Sequence, residues 1–107
     1  MNQTEKRVKR VTEMEKNLDD IRAAEQALDA ALDAFATVHA KARKLDAYYT
    51  GADWRGDYEA DEQGLLPPEL KRGVLSEDAA YDALADYRRL LIRLLDAARD
   101  GLKNGHR

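Results

Sequence analysis

The sequence predicts an all-α protein: a long helical hairpin with a packed acidic connecting segment, pairing into a helical-bundle dimer. Three observations carry this. Thr4 to Tyr49 contains neither glycine nor proline and is dominated by alanine, leucine and charged residues, the composition of a long helix. Residues 50–75 then hold four of the six glycines and both prolines, which breaks the helical pattern. A second apolar periodicity resumes after Ser76 and runs to Asp100.

In the first helix, residues 4–49, the apolar stripe passes through Val11, Met14, Leu18, Ile21, Leu28, Leu32, Phe35, Val38, Ala42, Leu45 and Tyr49. Its spacings alternate between three and four, so these positions share one face. Extended strictly by sevens from Val11, the same register meets Glu25, His39 and Asp46, while Ala24, Ala31, Val38 and Leu45 take over the apolar role. The stripe therefore drifts around the helix, as a nearly straight helix requires and a long regular coiled coil does not.

The connection, "TGADWRGDYEADEQGLLPPELKRGVL", is long for a structureless loop. Its Trp54, Tyr58, Leu65, Leu66, Leu70, Val74 and Leu75 predict that it folds back and packs, with a short helical turn near Pro67 to Lys71. The second helix is expected over residues 77–100, with Tyr81, Leu84, Tyr87, Leu91, Leu94, Leu95 and Ala98 as its buried side. Gly101 is placed to end it, leaving residues 101–107 as a frayed tail.

The two helices are unequal. At 1.5 Å per residue the first spans about 67 Å and the second about 35 Å. The first helix thus extends beyond its partner with Val8, Val11, Met14, Leu18 and Ile21, an amphipathic stretch poorly stabilised by propensity alone. A second copy would bury that stripe, most simply in an antiparallel two-fold dimer. The competing readings are a break at "NLDD", where Asn17 or Asp19 would cap a folded-back helix, and a frayed N-terminus.

The totals bound the class. A chain of 107 residues with 44% hydrophobic and 36% charged residues is read as one domain with narrow apolar stripes. It contains no cysteine, which excludes disulfides, thiolate catalysis and cysteine-ligated zinc. No apolar run approaches a membrane span or a signal peptide, so a cytoplasmic location without membrane association is expected. A formal charge of −3 disfavours nucleic acid as the main partner. The charge is nonetheless uneven: residues 1–16 are net +2, residues 46–62 net −5 and residues 88–107 net +4. The basic ends keep nucleic-acid contact as a second alternative, although a solvated helical face is the commoner meaning of such runs.

Four groups of residues invite a chemical reading. The acids Asp53, Asp57, Glu59, Asp61 and Glu62 suggest a divalent cation, but a calcium loop starting at Asp57 would need glycine where Glu62 stands and a bidentate glutamate where Pro68 stands. A solvated acidic segment, or acids pairing with Lys71 and Arg72, is the plainer interpretation. His39 shares a face with Arg43 and Asp46 and would serve as base or ligand only if loop carboxylates joined it. His106 lies in the tail and carries no argument. Tyr48, Tyr49 and Trp54 in "YYTGADW" form either a recognition surface, with Asp57 and Asp61, or the plug of a helix-to-loop corner ended by Gly51.

Ser76 stands among acids in "KRGVLSEDAAYD" without the glycine pattern of a hydrolase nucleophile. It has what a helix N-cap needs: a hydroxyl to accept from the amide of Asp78 or Ala79, and Glu77 and Asp78 in the positive first turn. Leu75 can pack on Ala80, and Gly73 permits a sharp turn of the chain into the helix.

Taken together, "YYTGADW", "GLLPPELKRGVLSED" and "AYDAL" resemble the signature of a small bacterial family, domain of unknown function 4298. Thr50-Gly51 stands where glycine and serine are expected, a departure that leaves helix termination intact. The resemblance implies the fold and a bacterial cytoplasmic origin; it brings no activity and no catalytic residues. The reading that follows is a non-enzymatic interaction or structural module, a homodimer with an unidentified protein partner, needing no cofactor and no metal. The alternative is a small metal-dependent or acid/base enzyme built on the acidic segment and His39.

Overall fold

A computed structural model describes residues 2–104. They form three α-helices and one 3-10 turn, with no strand among them: α1 (Gln3–Tyr49), α2 (Ala52–Glu62), the 3-10 turn Gly73–Leu75 and α3 (Ala79–Asn104). The fold class is all-α, as the sequence predicts. The chain divides into two compact units, Met1–His39 and Ala40–Arg107.

The first unit is helix alone. Asn2 caps it, its Oδ1 accepting from the Glu5 amide at 2.7 Å. The helix runs unbroken through Asn17 and Asp19, so "NLDD" starts no new element. Neither residue is needed as a cap there; the Asn17 amide lies 3.8 Å from the Met14 sulfur, and Asp20 pairs with Lys16 one turn back. Every described residue of this unit before Phe35 is exposed, including the stripe Val8, Val11, Met14, Leu18 and Ile21 at 46–60% exposure. Phe35, Val38 and His39 are half-buried.

In the second unit the connection is more helical than its glycines and prolines suggest. Eleven of its residues form α2, with Gly56 inside it. A helical glycine costs about 1 kcal/mol relative to alanine, too little to break a helix whose aromatic face is packed. Gly51, at the α1–α2 corner, has an ordinary extended conformation; what requires glycine is space, because a Cβ there would meet the Ala47 carbonyl oxygen at 3.0 Å. Among the described residues the positive φ sits at Gly64, 71°. Its amide donates to Asp61 O at 3.0 Å and that of Leu65 to Ala60 O at 2.9 Å, the paired bonds of a glycine-ended helix. The turn expected near Pro67 is present, with the Leu70 amide donating to Pro67 O.

α3 starts two residues later than expected and ends four later. Gly101 does not end it; its backbone is helical, and the helix continues through Lys103 to Asn104. An interior glycine only weakens a helix, and Lys103 in the last turn favours its continuation. The rest of the expected tail, with His106, lies outside the described residues. The expected buried side also shifts: Tyr81, Leu95 and Ala98 are exposed, while Ala80, Leu84, Tyr87, Leu91 and Leu94 are buried or half-buried. Those five are spaced four-three-four-three, and Tyr81 and Leu95 lie one position, about 100°, around the helix from them. Leu75 and Ala80 are the two buried core residues of the described chain, at 6% and 2% exposure.

Candidate functional site

The side chains singled out at the loop end do gather, and α2 is the reason. Trp54, Tyr58 and Asp61 recur at helical spacing and present one face. Tyr49, at the end of α1, meets Trp54 edge-to-face at 5.1 Å between centroids; Trp54 stacks on Tyr58 at 5.2 Å. Three rings therefore form a continuous ladder, an arrangement worth more than its area alone.

The polar tips of the ladder reach across to the segment between the 3-10 turn and α3. Trp54 Nε1 donates to Val74 O at 2.9 Å, Tyr49 Oη to Glu77 O at 3.2 Å, and Tyr58 Oη to a Glu77 carboxylate oxygen at 3.0 Å. Tyr48 Oη donates to Asp57 at 2.6 Å. Arg72 closes the far side: one guanidinium nitrogen binds Asp61, and the other donates to Pro67 O and Pro68 O at 3.2 and 2.9 Å. Of the two cations expected to pair with the acidic segment, Arg72 does so.

The cap predicted at Ser76 forms. Its Oγ accepts from the Ala79 amide at 3.2 Å and donates to Gly73 O at 3.0 Å, while Ser76 N donates to the same carbonyl. Gly73 thus contributes a carbonyl; it has no positive φ, and a Cβ there would meet nothing. Glu77 and Asp78 precede the first helical residue: Glu77 is held by the two tyrosines, and Asp78 O accepts from the Asp82 amide at 2.8 Å.

The electrostatics follow from these bonds. Donation to Asp57 pushes the Tyr48 hydroxyl up to about 12, with desolvation and the charges of Asp57 and Asp53 acting in the same direction. Donation to Glu77 does the same for Tyr58, again to about 12, helped by desolvation and by Glu62. Both phenols are committed donors at neutral pH, unsuited to act as bases.

Of the sequence-predicted binding residues, Tyr48, Tyr49, Trp54, Asp57 and Asp61 all fall in this one network. Tyr58, Arg72 and Glu77 complete it; the sequence assigns them other roles, Tyr58 in packing, Arg72 as a partner of the acids and Glu77 in the first turn after the Ser76 cap. The signal for Tyr58 was present, four residues after Trp54 and three before Asp61, and is visible once residues 52–62 are read as a helix. His39 belongs to the first unit, its ring near-parallel to that of Phe35 with centroids 6.5 Å apart. Among the described residues no group of three histidines, aspartates or glutamates is placed to hold a metal ion. Arg89 and Arg99 of the basic end approach Asp86 and Asp96 on their own helix at 3.7 and 3.9 Å. No described helix is long and apolar enough to cross a membrane.

Comparison with known proteins places the network in context. No curated protein and no solved structure matches the chain. The family described as Domain of unknown function (DUF4298) matches residues 11–97, a span that takes in most of α1, the whole aromatic junction and the larger part of α3. The chain, with its tyrosine pair, Trp54 and "GVLSED" segment, therefore belongs to the DUF4298 family.

Proposed function

We propose that the protein is a non-enzymatic interaction module that self-associates through the first half of α1. One observation carries this: Val8, Val11, Met14, Leu18 and Ile21 form a helical stripe that the described chain leaves exposed. Such a stripe is far from what a lone helix in water tolerates, because a helix of this kind draws its stability from packing its apolar face. Burial of each large apolar side chain contributes roughly 1.5–3 kcal/mol, so several on each of two helices outweigh the entropy of association. The module is expected to be bacterial and cytoplasmic, as the family resemblance implies.

The α2 junction supports the same reading in a second way. Tyr48, Trp54, Asp57 and Asp61 are spent on bonds within the chain, which favours the corner plug and leaves the exposed acids Asp53 and Glu59 as a charged surface for a protein partner. Sedimentation equilibrium of the full chain tests the proposal: a dimer is expected at micromolar concentration, and Leu18→Asp is expected to return it to monomer with its helical junction intact. A monomeric wild-type protein would remove the proposal. Thermal melts with Mg²⁺, Ca²⁺, Mn²⁺ or Zn²⁺ address the metal-dependent form of the enzymatic alternative, which requires a metal-induced rise in Tm abolished by Asp57→Asn with Asp61→Asn.

A further inference from the structure

The α1 stripe is self-complementary in one register, and this rests on the reading that a second copy covers it. We infer that two α1 helices pair antiparallel with Val11 opposite the partner's Ile21 and Met14 opposite the partner's Leu18, the two-fold axis passing beside Lys16.

The inference comes from placing the charged members of the stripe. Counted in sevens through Val11 and Leu18, and through Met14 and Ile21, the face-forming positions also include Arg7 and Glu25. These are the charged residues that border the apolar run, one on each side. Both are exposed on a helix that is unbroken between them. An antiparallel pair in which facing residue numbers add to 32 stacks four fully apolar layers without interruption. The same register sets Arg7 opposite the partner's Glu25 at both ends of the seam.

Other arrangements lose one of these matches. A parallel in-register pair keeps the apolar layers but faces Arg7 with the partner's Arg7 and Glu25 with the partner's Glu25, two like-charge layers. Sliding the antiparallel pair by one heptad sets Val11 opposite the partner's Leu28 but puts Glu25 on the partner's Met14 and Arg7 on the partner's Leu32, desolvating charge against apolar side chains. The wider charge pattern agrees. Residues 3–13 are net +2, from Lys6, Arg7, Lys9 and Arg10 against Glu5 and Glu13. The residues they would face, 19–29, are net −3, from Asp19, Asp20, Glu25 and Asp29 against Arg22. Val8, one position around the helix from Arg7, then flanks the seam.

The absence of cysteine makes the register directly testable by disulfide trapping in the full chain. Val11 and Ile21 of one helix are ten residues and about 15 Å apart, beyond the roughly 7 Å that a disulfide can bridge. A covalent V11C/I21C dimer therefore reports pairing between chains. The expected result is a covalent dimer from V11C/I21C, a V11C–I21C heterodimer from a mixture of the two single variants, and no homodimer from either alone. Homodimers of V11C would establish the parallel arrangement, and trapping between V11C and L28C would establish the shifted register; either overturns the inference while leaving self-association standing. A wild-type monomer in sedimentation would overturn both. Because cysteine at the seam can itself loosen the pair, charge reversal is a second measurement: Arg7→Glu alone is expected to weaken the dimer at least tenfold, and Arg7→Glu with Glu25→Arg to restore it. Failure of the double reversal to restore what the single one removes would contradict the register.

Discussion

The first half of α1 and the junction around α2 hold their conformations by different means. Residues 3–34 are exposed throughout, and the side-chain bonds among them are local: Thr12 to Val8 O at 2.7 Å, and Lys16 to Asp20 at 3.0 Å. The junction binds residues far apart in sequence, Trp54 to Val74 and Tyr49 to Glu77, through side chains that reach main-chain carbonyls. Local bonds set a helix's preference but do not make it stable, whereas the junction fixes loop-closing contacts and contributes stability of its own. Under the proposed function, the contrast separates what the chain can do alone from what it would need a second copy for.

Breaking the junction is expected to have the largest effect on the single chain. Trp54→Ala removes the centre of the ring ladder and the bond to Val74 O; for this half-buried tryptophan the loss should be about 2–3 kcal/mol, below the range for a fully buried one. Chemical denaturation followed by far-ultraviolet circular dichroism reads it. Arg72→Ala leaves Asp61 and two proline carbonyls without their shared donor, and its partly exposed setting gives an expected cost of about 1–2 kcal/mol in the same experiment. Ser76→Ala, which removes the cap of α3, should cost about 1 kcal/mol and leave the affinity of the proposed dimer unchanged.

The tyrosines report the junction as the protein stands. Tyr48 and Tyr58 are raised from 10.0 to about 12 in the folded chain. A group raised in this way binds its proton more tightly folded than unfolded. Its stabilising contribution is present below pH 10 and is lost as pH climbs toward 12. Absorbance of tyrosinate near 295 nm should show two tyrosines ionising late, and Asp57→Ala should bring Tyr48 back toward 10. The smallest effect is expected in α1, where Lys16→Ala removes an exposed ion pair worth at most about 0.5 kcal/mol.

The same contrast explains what was legible in the sequence. The long first helix, its unpartnered stripe and the Ser76 cap depend on nearest neighbours in the chain, so spacing and residue type revealed them. α2 was hidden because Gly51, Gly56 and Gly64 read as breaks. Gly51 and Gly64 do mark its two ends, and Gly56 lies within it. That the aromatic pair and Trp54 belong together could be read from "YYTGADW", and that Arg72 pairs with the acids from charge; which acid it meets, and that Tyr58 reaches Glu77, could not, because those bonds cross from α2 to residues 72–77. Gly101 misled in the same direction as Gly56, being placed like a C-cap yet carrying helical backbone.

Hydrogen exchange measured at two protein concentrations tests the contrast most directly. Raising the chain from about 1 to about 100 μM should favour the dimer by mass action. The amides of residues 8–25 should then become more protected, while those of residues 54–62 and 79–94 stay the same. Protection of residues 8–25 that does not change with concentration would contradict the account, because their helix would then be stable without a second copy.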